Sequence, residues 1–75
     1  MDFNMWLRAC EAANELPYPL DVVDRGTGLY MTQKTYIADH REFHTSPVFH
    51  VWINGQTWET TMSETEAWRM WENRG

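Results

Sequence analysis

Val48-Phe-His-Val-Trp-Ile-Asn-Gly-Gln-Thr-Trp-Glu-Thr-Thr-Met62 is the stretch on which the fold turns. Two runs rich in β-branched and aromatic residues flank Asn54-Gly55, the pair that adopts the two positive φ angles of a type I′ turn at little cost, so this stretch predicts a β-hairpin. A two-residue loop sets the register. Ile53 then faces Gln56, Val51 faces Trp58 and Phe49 faces Thr60 on one side, while Trp52 faces Thr57 and His50 faces Glu59 on the other. The first side is the more apolar. It predicts Trp58 in the core against Val51, and Trp52 on the polar side.

On the C-terminal side, Ser63-Glu-Thr-Glu66 has the spacing of a capping box and starts a helix. Ala67, Met70 and Trp71 form its apolar stripe, and Trp68 lies off that stripe between Glu64 and Glu72. On the N-terminal side, His40 to Pro47 reads as a polar connection and Leu29 to Ala38 as a strand rich in aromatic, Thr and Ile residues. Arg25-Gly-Thr-Gly28 is a turn signal, and Leu20 to Val23 a short strand. Asp2 to Leu16 has apolar residues at helical spacing (Phe3, Trp6, Leu7, Cys10, Ala13), with Asp2 or Asn4 as cap and Pro17 as the stop. The expected fold class is α+β: one domain over residues 1–75. It comprises an N-terminal helix, a three- or four-stranded antiparallel sheet with the type I′ hairpin Val48–Met62, and a capped C-terminal helix. The helices are expected to cover one sheet face.

The chain has 75 residues. Its folded surface should be about 4,900 Å², which leaves room for one modest core. Eleven acidic residues against six Lys and Arg give a formal net charge of −5. With 43% hydrophobic residues and five Trp, the composition is that of a folding chain rather than an acidic tail. The charge disfavours direct nucleic-acid binding, which relies on cations releasing counterions from phosphates. No apolar run approaches membrane-spanning length, so no membrane partner is expected. A single cysteine, Cys10, excludes an internal disulfide framework, and a cytoplasmic protein is the expectation.

The catalytic and metal signals are thin. Cys10 sits among Ala9, Glu11 and Ala12 on a helix, without the cationic surroundings that activate a thiol. Ser46 lacks a nucleophile elbow, Ser63 is a helix cap, and Gly26-Thr-Gly28 lacks the lysine of a phosphate loop. His40, His44 and His50 are the only metal candidates. Their segment reads as a loop entering a strand, with no cysteine pair, so the bland reading is three solvated or half-buried imidazoles. The expectation is a non-enzymatic chain with no cofactor.

Two features point to docking instead. Trp52 and Trp68 have no core assignment, and Trp is the side chain that most often anchors interfaces. The competing reading is that the first helix covers Trp52. Asp39, Glu42, Glu59, Glu64 and Glu72 supply carboxylates, and Glu59, Glu64 and Glu72 are expected to form an acidic edge around the two indoles. The partner would be a larger protein or complex with a basic surface. A second copy of the chain competes for the same apolar side chains.

Val48-Phe-His-Val-Trp-Ile-Asn-Gly-Gln56 followed by a capped helix resembles the third strand, turn and final helix of a double-stranded RNA-binding domain. That family's final helix starts with a lysine cluster, whereas this one starts Ser63-Glu-Thr-Glu66, so the resemblance implies topology rather than RNA binding. The corresponding alternative is a nucleic-acid binder with Lys34, Arg41 and Arg69 on phosphates; a metal-binding homodimer is another. In size, acidity and aromatic content the chain is also similar to small accessory proteins of bacteriophages, among them inhibitors of CRISPR systems. That likeness implies an inhibitor of a nucleic-acid-processing complex, acting by nucleic-acid mimicry.

Overall fold

The structure is a computed structural model that describes residues 1–74. It consists of α1 (Phe3–Ala12), β1 (Tyr18–Asp24), β2 (Thr27–Ile37), a three-residue 3-10 turn (Asp39–Arg41), β3 (Phe43–Ile53), β4 (Gln56–Thr61) and α2 (Glu64–Glu72). The strands form one antiparallel sheet in the order β1-β2-β3-β4. The α+β class expected from the sequence is therefore observed, with four strands.

The helices lie on opposite faces of the sheet, not on one. Successive side chains of a strand point to opposite sides. Tyr30 and Trp52 pack with Phe3, Trp6 and Cys10 of α1. Their neighbours Leu29 and Val51 pack with Phe49, and with Ala67 and Trp71 of α2. A single helix of nine or ten residues covers only part of a four-stranded sheet, so each face takes one helix.

Local chemistry sets each boundary. Asp2 caps α1, its carboxylate accepting from the Met5 amide at 2.8 Å. The helix ends before Pro17 is reached, because Asn14 takes the left-handed conformation at φ 57°. The amides of Asn14 and Glu15 donate back to the carbonyls of Glu11 and Cys10, the Schellman arrangement. Ser63 caps α2 by accepting from the Glu66 amide at 3.3 Å. The return arm of the expected capping box is replaced by a relay: the Ser63 amide donates to Thr61 Oγ1 at 3.1 Å, and that hydroxyl donates to Glu66 Oε2 at 3.2 Å.

The Asn54-Gly55 turn is present, with φ 55° and 78°, but the register expected beyond it is not. Ile53 pairs with Gln56 and Trp52 with Thr57; then a β-bulge intervenes, and Val51 pairs with Glu59, His50 with Thr60 and Phe49 with Thr61. The extra residue is Trp58. It stands 61% exposed, while Trp52 is fully buried under α1, so the expected roles of the two indoles are exchanged.

The segment read as a polar connection is mostly strand. Phe43 to Pro47 extends β3, and only Ala38 to Glu42 forms the turn. β2 and β3 pair from Gly28↔Trp52 to Ile37↔Phe43, whereas β1 stops at Tyr18↔Met31 and β4 at Phe49↔Thr61. A two-stranded arm therefore projects beyond the body and makes the molecule 44 Å long and 17 Å thin. The arm also raises the accessible surface to 5479 Å², above the figure of about 4,900 Å² for a compact chain of this mass.

Candidate docking surface

β4 is an edge strand, and α2 follows it after the two residues Met62 and Ser63. Together they collect the exposed side chains that the body leaves unpacked there. The bulge puts Trp58 in solvent, and Met62 is 60% exposed just beyond the strand. Glu59 pairs with Val51, whose side chain faces α2, so Glu59 shares the α2 side of the sheet. Glu64 and Glu66 occupy the first turn of α2, where the helix dipole favours carboxylates. Asn54 to Trp68 holds Glu59, Glu64 and Glu66 and contains no Lys or Arg. The stretch is thus apolar at Trp58 and Met62 and anionic at Glu59, Glu64 and Glu66, with Arg69 the first cation, one turn beyond Glu66 on α2.

Of the residues nominated from sequence, Glu64 and Trp68 meet on α2, and Glu59 lies on the α2 side of β4. Trp68 is half-buried against the α2-side core, and its indole N–H donates to Glu64 Oε2 at 3.3 Å. Glu72 is exposed at the far end of the same helix. Trp52 is fully buried and offers nothing to a partner; Trp58, assigned to the core from sequence, stands exposed in its place. Asp39 and Glu42 lie at the arm tip, about 20 Å along the ribbon from the last β3–β4 pair. Glu42 instead contacts His44 Nε2 at 3.5 Å.

The signal for this exchange is present in the sequence but is not a register signal. Val48 to Ile53 is almost continuously apolar, the pattern of a strand covered on both faces. That pattern argues for burying Val51 and Trp52 together, which the structure does.

The histidines separate. His40 sits in the exposed tip turn at φ 65°, and His44 stacks on Tyr36 at 5.8 Å. His50 packs on Trp6 at 4.9 Å and shares a hydrogen bond of 2.9 Å with Thr32 Oγ1, rather than meeting Glu59. Burial holds its imidazole below the ordinary range. Among the described residues no group of three or more His, Cys, Asp or Glu is placed to hold a metal ion. Lys34 and Arg41 lie on the arm and Arg69 on α2, so they form no single cationic stripe.

Open clefts accompany the fold. One of about 490 Å³ lies between the α1–β1 connection (Ala13, Asn14, Glu15, Leu16) and Gln33 and Thr35 of β2. Another, about 400 Å³, is lined by Asn4, Leu7, Arg8, Glu11 and Arg25. The groups whose pKa burial shifts are Cys10 and Tyr30, both raised, and His50, lowered; none of them lines either cleft. Among the described residues no helix is long and apolar enough to cross a membrane.

The chain matches no known family model, curated protein or solved structure.

Proposed function

We propose that this chain is a non-enzymatic binding module that docks on a basic protein surface through the β4 edge and the start of α2. The observation that carries the reading is Trp58: a large indole held 61% exposed on an edge strand. Glu59, Glu64 and Glu66 follow it along the chain before the first cation, Arg69. An exposed Trp beside charges of one sign combines an anchor with electrostatic steering. In its finer form, the partner is a nucleic-acid-processing complex whose basic groove accepts these carboxylates in place of phosphates. The chain then acts as its inhibitor.

The test is a tagged pull-down from lysate of the source cells, treated with nuclease and read by mass spectrometry. It compares the wild type with Trp58→Ser/Glu59→Lys/Glu64→Lys and with Asp39→Lys/Glu42→Lys. The reading requires a stoichiometric protein that survives nuclease, is lost with the first variant and is kept with the second. Loss with the arm-tip variant alone moves the site to the arm. Recovery that vanishes with nuclease favours the nucleic-acid reading instead.

A further inference from the structure

The sheet has four stretches of free edge, and three carry devices that discourage strand addition. The outer edge of β1 has Pro19 and two register shifts. The outer edge of β4 has the bulge at Trp58. The β3 side of the arm has Pro47. The fourth stretch is the β2 side of the arm, Gln33-Lys-Thr-Tyr-Ile37, with no proline, glycine or bulge.

Its backbone groups point outward at defined positions. Pro47 has no N–H to give, which fits its pair with Gln33 being of the non-hydrogen-bonded class. By alternation, Gln33, Thr35 and Ile37 then turn their N–H and C=O groups away from β3, toward the open side. The open run starts beyond Met31, where Tyr18 is the last residue of β1 to pair, and stops at Ile37, where β2 ends. Beside it lies the 490 Å³ cleft along Ala13 to Leu16. Four large apolar side chains stand exposed along this edge and at its body end: Tyr36 (46%) and Ile37 (65%) on the run itself, and Leu16 (70%) and Tyr18 (62%) where β1 begins.

We propose that this edge pairs with the same edge of a second copy of the chain, antiparallel about a two-fold axis at Thr35. The stretch is self-complementary. Thr35 meets Thr35 of the second copy, Lys34 lies opposite its Tyr36 as a cation–π pair, and Ile37 lies opposite its Gln33, next to its Leu16 and Tyr18. Pairing ends at Ile37 on both sides, where the second copy's Tyr18 takes over the edge, so the span available matches the span used. Charge favours the same occupant. On the arm, Lys34 and Arg41 balance Asp39 and Glu42, so two arms meet without net repulsion although the whole chain carries −5. The antiparallel arrangement also sends the two acidic bodies to opposite ends. The interface is small, so the dimer is weak and forms with rising concentration. It gives the assembly two copies of the β4 surface.

Sedimentation equilibrium from 1 to 500 µM reads the mass directly. The expected result is a concentration-dependent rise from 9.0 kDa toward twice that value. Thr35→Pro removes an outward N–H while sparing the β2–β3 ladder, and should weaken the dimer at least tenfold with the circular dichroism of the wild type. Should that variant fail to fold, Thr35→Cys decides. Mild oxidation at 200 µM should give a disulfide-linked dimer, and Trp58→Cys treated alike should not. A wild type that stays monomeric at 500 µM, a folded Thr35→Pro that dimerises normally, or cross-linking through Trp58→Cys in place of Thr35→Cys overturns the proposal.

Discussion

The Gly55 amide donates to the carbonyl of Gly26 at 2.8 Å, joining the two hairpin turns at the same end of the sheet. The Phe3 amide donates to the Gly55 carbonyl at 2.9 Å, so the start of α1 is tied to the same point. A Cβ on Gly26 would stand 3.0 Å from the backbone of Gly55, and Gly26 has φ 87°. Gly55 has φ 78° but open space around its Cβ position. Gly26→Ala should therefore destabilise by about 2 kcal/mol or more, from left-handed strain plus the clash, and Gly55→Ala by about 1 kcal/mol from strain alone. Urea denaturation of both variants measures the difference, and equal losses would count against the close approach.

His50 links stability to pH. Burial lowers its pKa from the ordinary 6.5, so the unfolded chain binds this proton more readily than the folded one. The contribution to stability is complete above pH 6.5 and declines as pH falls below it, by at most about 1.4 kcal/mol per pH unit. His50→Gln should flatten the stability profile between pH 7 and 5. A wild-type profile with no decline in that window would refute the assignment.

Cys10 is 7% exposed, and burial, with Glu15 as a smaller cause, raises its thiol pKa. The thiolate is the reactive form, so labelling by a disulfide reagent at pH 8 should be slow in the native protein and fast in denaturant. Rapid stoichiometric labelling of the folded chain would show that α1 does not cover it.

Trp52 and Trp71 are both buried but differ in their N–H groups. Trp71 Nε1 donates to Asp21 Oδ2 at 2.7 Å, and Arg74 lies 3.5 Å from its ring centroid. Trp52 Nε1 is buried without a hydrogen-bond partner among the described residues. Trp71→Phe thus loses a hydrogen bond to the exposed Asp21 carboxylate, whereas Trp52→Phe sheds an unpaired donor. The first should cost about 1 kcal/mol more than the second in thermal or urea unfolding. The reverse order would mean that the Trp52 N–H has a partner after all.

Trp58 reports the bulge. Acrylamide should quench it far more than the buried Trp6, Trp52 and Trp71, and Trp58→Phe should remove most of the accessible fraction, leaving that of the half-buried Trp68, while changing stability by no more than about 0.5 kcal/mol. A large destabilisation would place Trp58 in the core, as the unbulged register has it.

The elements of this fold were legible because each is marked by local chemistry. Asp2 and Ser63 accept from amides in the first turns of their helices, and Asn54-Gly55 adopts two positive φ angles, whatever the rest of the chain does. Those residues determine an α+β domain with its hairpin and both helix starts. The tertiary structure decided which indole faces water. A type I′ turn fixes the register only as far as its first pairs. Beyond Trp52↔Thr57, the strand can continue in step or bulge by one residue, and the one-residue change reverses every later side chain of β4. Alternation along β3 turns Trp52 toward α1 and Val51 and Phe49 toward α2, so a helix on each face buries both sets, and the bulge in β4 leaves Trp58 as the residue without a place. The arm has the same origin. Pro47 and the polar residues around it suggested a loop, yet a proline on the outward side of an edge strand removes no ladder bond, so β3 runs through it to Phe43. Burial on two faces and pairing between distant strands are non-local quantities, and here they decided both the exposed Trp58 and the free edge of β2.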